Sequence, residues 1–115
     1  MVVALAAGAV IVLRNVMRPG PPTPECVTTA GTERFTVDLD QAANAATIAA
    51  VGKARGLPDH AVTVALAAAL QESNLHNLSY GDRDSLGLFQ QRPSQGWGTP
   101  EQLTTPSYAA EAFYK

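Results

Sequence analysis

Residues 61–70 read AVTVALAAAL, an almost wholly apolar stretch that ends on the polar pair Gln71-Glu72. Ten residues without glycine or proline make about three helical turns. A helix that is apolar all round is buried all round, so this segment is expected at the centre of the fold. Pro58 stands before it, near the first turn, where its missing N–H does no harm. Asp59 suits the positive N-terminal end. Only 6% of the residues are aromatic, so the core is expected to be close-packed and built from small side chains.

A first helix is expected over residues 41–55, capped by Asp38 or Asp40. Ala45, Ile48, Ala49 and Gly52 fall on one face at helical spacing. Lys53 and Arg55 suit its negative end, and Gly56 suits the left-handed position beyond it. Before it, residues 27–34 read as polar and turn-like, and residues 35–37 as a short extended piece.

The opening MVVALAAGAVIVL is continuously apolar, and Arg14 ends it. A spanning helix needs about 20 apolar residues, so this run is a short signal-anchor or a signal-peptide core. Residues 1–18 are assigned to that membrane segment. Residues 19–25 follow as a proline-rich linker, because Pro19, Pro21, Pro22 and Pro24 fix φ and lack N–H donors. Residues 26–115 are the domain. The membrane is therefore an expected partner, with the domain outside the cytoplasm, anchored or secreted.

The net charge is −2 and no basic stripe occurs. Nucleic-acid binding needs many phosphate contacts and is set aside. Cys26 is the single cysteine, which excludes an internal disulfide and a multi-cysteine zinc site. His60 and His76 form no HExxH pair, so no metal is expected. No phosphate-binding glycine loop or Gly-x-Ser-x-Gly is present, and no cofactor is expected.

Glu72 closes the apolar helix. Partial burial and the negative helix end both disfavour a carboxylate, so both would raise its pKa. A glutamic acid that keeps its proton near neutral pH is what protonation of a glycosidic oxygen requires. An exposed glutamate at a helix end is the alternative. Glu72-Ser73-Asn74-Leu75, followed by Gly87-Leu88-Phe89-Gln90, resembles the soluble lytic transglycosylases of the lysozyme-like superfamily. Their pattern is Glu-Ser-x-aromatic or aliphatic, a loop, then Gly-Leu-Met-Gln, at a matching separation. The stretch from about Asp40 to Tyr114 also resembles a lysozyme-like domain of membrane-anchored bacterial proteins.

The resemblance implies a mainly α, lysozyme-like fold, present in part, behind the N-terminal hydrophobic helix and linker. It implies that Glu72 protonates the bond between N-acetylmuramic acid and N-acetylglucosamine in peptidoglycan. Ser73 would position Glu72 or substrate. Gly87, Leu88, Phe89 and Gln90 would line the cleft, with the Gln90 amide offered to sugar or peptide groups. Such enzymes use one carboxylate and the substrate's own N-acetyl group, and release a 1,6-anhydro sugar. The glycan strand is the expected partner, and a non-catalytic glycan-binding module with the same cleft is the alternative.

Around this pattern the residues leave options open. Asp82, Arg83 and Asp84 form a solvated turn, or supply Asp82 or Asp84 as a second carboxylate for hydrolysis. Trp97, between Gly96 and Gly98, is a sugar platform or a packed core residue, and Tyr80 is similarly divided. His76, one helical turn beyond Glu72, reaches the cleft or stays outside it, and Asn77 is read as a helix stop. The family's third motif carries an asparagine, a glycine and a tyrosine. Residues 106–114 lack the asparagine, place Ala112 at the glycine and offer Tyr108 and Tyr114 as substitutes. Such domains continue with more helices, so a C-terminally shortened member is expected.

Overall fold

The computed structural model describes residues 20–115. The membrane segment expected over residues 1–18 lies outside the described residues. Residues 20–24 are exposed and carry no regular structure, as a proline-rich spacer should.

The chain then forms an antiparallel hairpin of β1 (Glu25–Ala30) and β2 (Glu33–Asp38). This corrects the turn expected over residues 27–34. Gly31 takes the first central position of the two-residue connection with φ of 62°, a conformation glycine adopts without penalty. Cys26 faces Val37 across the ladder, and both are half-buried. The hairpin adds a strand element to what was expected as mainly α. Helix still covers 48% of the described residues, so helices carry the core.

Helix α1 (Leu39–Ala54) is capped by Asp38, whose carboxylate accepts from the Gln41 N–H while the Gln41 side chain accepts from the Asp38 N–H. That reciprocal pair is a capping box. Gly56 follows with φ of 71°, the left-handed position read from the sequence. Helix α2 (Asp59–Ser73) starts after Pro58. Helices α3 (Pro100–Leu103) and α4 (Pro106–Phe113) each begin on proline, where helices tolerate it.

Helix α1 is the hub, contacting α2, α4 and both strands. Ile48 of α1, Ala65 and Ala69 of α2, Leu75, Leu88, Phe89, and Ala109 and Ala110 of α4 form the core. Phe89 stacks on Phe113, with ring centroids 4.5 Å apart.

The burial expected all round residues 61–70 is corrected. Val62, Ala65, Ala69 and Ser73 are buried, a single stripe at i, i+3, i+7 and i+11 spacing. Val64 and Leu70 on the other side are nearly half exposed, at 46% and 47%. Leu70 and Leu66 instead wall an apolar groove against Phe35 and Val37 of β2.

Candidate active site

Glu72 sits in the last turn of α2, and the next residue anchors that turn. The Ser73 hydroxyl donates to the Leu88 carbonyl at 2.8 Å and to the Ala69 carbonyl at 3.1 Å. Ser73 is buried, at 7% exposure. The two halves of the sequence pattern therefore meet in space through one buried hydroxyl. Glu72 itself is exposed, which corrects the partial burial expected for it.

Beyond Ser73 the helix stops at Asn74, not Asn77. Asn74 and Leu75 both have positive φ, 51° and 60°. Asn77 instead ties its loop to the end of α3, where its side-chain amide donates to the Thr104 carbonyl at 2.7 Å. His76 is consequently not one helical turn above Glu72. Its Nε2 lies 2.9 Å from Asp38 Oδ2, at the start of α1. Asp38 has its carboxyl held below the usual range, by the Gln41 N–H first and by His76 second.

Residues 87–90 turn tightly beneath this end of α2. The Gly87 N–H donates to the Leu78 carbonyl at 2.7 Å. Gly87 has φ of 74°, and a β-carbon there would collide with the Leu103 carbonyl oxygen. Leu88 and Phe89 are buried, so their side chains build the core and do not line a cleft. Gln90 is half-buried, with φ of 48°. Its amide donates to the Gly87 carbonyl at 3.2 Å and the Tyr80 carbonyl at 3.3 Å. Gln90 thus braces the loop as well as edging it. A side chain at Gly81 would strike that same amide, which explains glycine there.

The two aspartates differ. Asp84 is gripped by Arg92 Nε at 2.6 Å and by the Ser94 N–H at 2.8 Å. The Ser94 hydroxyl and N–H, then Arg92, hold its carboxyl far below the usual range. Asp84 is committed to fastening the loop. Asp82 is exposed, and its backbone carbonyl accepts from the Ser85 N–H.

Tyr80 is 70% exposed and Trp97 44% exposed. Gly96 and Gly98 flank Trp97 with φ of 79° and 155°. The Tyr108 hydroxyl donates to the Trp97 carbonyl at 3.3 Å. Tyr114 turns elsewhere, donating to the Ile48 carbonyl at 3.0 Å, and burial raises its pKa.

Several polar residues escaped sequence reading. Gln41 Nε2 donates to the Asn74 carbonyl at 3.0 Å, and Asn44 Nδ2 to the Leu75 carbonyl at 2.8 Å. Gln91 is buried and donates to the Ala109 carbonyl at 3.1 Å. Polar residues on the inward side of an alanine-rich helix were the available signal for Gln41 and Asn44. Among the described residues, no helix is long and apolar enough to cross a membrane, and no cluster of three or more histidine, cysteine or acidic side chains could hold a metal ion. In comparisons with known proteins, no family model, curated protein or solved structure matches the chain.

Proposed function

We propose that this chain cleaves peptidoglycan as a lytic transglycosylase or muramidase, with Glu72 as the general acid and base. The observation that carries this reading is the Ser73 hydroxyl bonded to the Leu88 carbonyl at 2.8 Å. That bond ties the residue after Glu72 to the tight turn of residues 87–90, and Glu72 itself is exposed, which supports reading the two pattern halves as one site. Glu72 gives its proton to the glycosidic oxygen as the bond to the muramic acid C1 breaks. The substrate's acetamido oxygen closes onto C1, so no protein nucleophile is needed. Glu72, now a carboxylate, takes the proton of the sugar's 6-hydroxyl as that oxygen displaces the acetamido group. The product is a 1,6-anhydro sugar. Asp84, tied to Arg92 and Ser94, is ill-suited as a second carboxylate, which favours the single-carboxylate route. Asp82 is the remaining candidate for hydrolysis. On this reading residues 1–18 anchor or export the domain to the cell-wall side of the membrane.

A second reading is a glycan-binding module without turnover. Trp97, Tyr80 and Glu72 are all exposed, and exposed aromatic rings serve sugar binding without turnover. One experiment separates them. Purified cell wall is incubated with the chain and with Glu72→Gln, which keeps the size but cannot donate the proton. Release of anhydro-muropeptides by the first and a loss of about 10²–10⁴ in rate for the second is expected. Sedimentation of both with cell wall, with no product from either, establishes the binding module instead. Full turnover by Glu72→Gln removes the catalytic assignment. If Asp82→Asn is as damaging as Glu72→Gln, two-carboxylate hydrolysis replaces the substrate-assisted route.

A further inference from the structure

A helix commonly ends on a single left-handed residue. Here two non-glycine residues in succession, Asn74 and Leu75, take φ of 51° and 60° directly after Glu72-Ser73. A β-carbon disfavours that region, and such conformations persist only where the surroundings hold them. The hold comes from α1. Gln41 Nε2 donates to the Asn74 carbonyl at 3.0 Å and Asn44 Nδ2 to the Leu75 carbonyl at 2.8 Å. Gln41 and Asn44 are three apart and so share one helix face. Gln41 is buried and fixed in turn by the capping box with Asp38, and Asp38 Oδ2 reaches His76 at 2.9 Å. Residues 74, 75 and 76 are therefore each tied to the first turns of α1. The second left-handed residue also drives Leu75 into the core, at 5% exposure, and leads the chain to Leu78, whose carbonyl receives the Gly87 N–H.

We propose that Gln41 and Asn44 are positioning residues for Glu72. Neither touches substrate. They hold a turn that would otherwise relax, and so fix the direction in which the last turn of α2 presents Glu72 beside residues 87–90. The proposal rests on Glu72 being the acid.

The test uses the full chain acting on glycan strands from purified peptidoglycan. Gln41→Leu and Asn44→Leu remove the donors, and Ile48→Val on the same helix serves as a stability control outside the site. A misplacement near 1 Å costs on the order of a hundredfold in rate. The two donor variants are expected to lose about ten- to a hundredfold in kcat with KM little changed. Ile48→Val loses stability and keeps its kcat. Asn74→Gly accepts a left-handed φ freely, so adding it to Gln41→Leu restores part of the lost kcat. Amide exchange at Asn74 and Leu75 quickens in the donor variants and not in Ile48→Val. Should Asn44→Leu not fold, Asn44→Asp, which keeps the shape but lacks the N–H donors, carries the same test. Turnover retained by Glu72→Gln removes the reading and the proposal together. Turnover lost there but kept by Gln41→Leu and Asn44→Leu removes the proposal alone. A loss of turnover in the donor variants that only follows their unfolded fraction, with kcat per folded molecule kept as in Ile48→Val, also overturns it.

Discussion

The Ser73 hydroxyl donates to the Leu88 carbonyl oxygen at 2.8 Å, across fifteen positions of sequence. Both residues are buried, so water cannot replace the bond. Its removal leaves a buried carbonyl without that donor, which costs about 1–3 kcal/mol. Ser73→Ala is expected to lose that much stability in urea denaturation, because the turn after α2 loosens; if the chain cleaves glycan as proposed, turnover falls with it. A change within about 0.5 kcal/mol, the range of an ordinary surface substitution, contradicts the bond's role.

Gly87 and Gly96 make a controlled pair. Both have left-handed φ, 74° and 79°. A methyl at Gly96 meets nothing within 4 Å, whereas one at Gly87 runs into the Leu103 carbonyl. Gly96→Ala is expected to cost about 1–2 kcal/mol from backbone conformation alone. Gly87→Ala adds overpacking of about 1–3 kcal/mol to that. Equal losses in denaturation experiments would mean that the approach of Leu103 to Gly87 contributes nothing.

Asp84 gives a pH dependence with a definite sign. Its folded-state pKa is depressed, by Ser94 first and Arg92 after it. The unfolded chain therefore binds more protons than the folded one below the ordinary carboxylate pKa of about 4. The contribution is fully present above that pH and is lost as the pH falls below it, into strongly acidic solution. Asp38, Asp59 and Glu101 are depressed as well, so they share the acid slope. Asp84→Asn is expected to lessen the slope of stability against pH below about pH 4, read from acid titrations of unfolding. An unchanged slope contradicts the assignment.

How far the sequence spoke depended on how distinctive each side chain was. A cap at Asp38 or Asp40, of which Asp38 is the one used, and Gly56 as a left-handed stop were readable, because few residue types suit those positions. The two short patterns drew attention to residues 72–75 and 87–90, but the bond that links them, from the Ser73 hydroxyl to the Leu88 carbonyl, and the burial of Leu88 and Phe89 in the core were not readable from them. The hairpin was not. Thr28, Thr29 and Thr32 around Gly31 looked like a polar turn, although threonine also favours strands. The faces of α2 were not readable either. In AVTVALAAAL the alanines carry no contrast between inside and outside, so a one-sided stripe looks like all-round burial. Asn77 offered itself as the helix stop, but Gln41 and Asn44, more than thirty residues away in sequence, stabilise an earlier one at Asn74. Their place on the inward side of an alanine-rich helix marked them as polar groups in need of partners, but not which distant carbonyls they would hold.

Whether the exposed Trp97 ring is a sugar platform is open to a direct test. Its backbone turns between two glycines of positive φ, and Tyr108 holds its carbonyl. Its ring is already partly covered, at 44% residue exposure, so a bound sugar can cover only what remains. Full burial of a large apolar side chain is worth about 1.5–3 kcal/mol. Roughly half of that, about 1.4 kcal/mol, is a tenfold change in affinity. Trp97→Ala is therefore expected to weaken binding to purified glycan strands about tenfold, while Trp97→Phe keeps most of the affinity. Calorimetric titration reads the affinity, and thermal unfolding of the same samples reads the stability. If the covered part of Trp97 serves only to pack its own loop, the pattern reverses: Trp97→Ala then loses stability and leaves any affinity for glycan strands unchanged.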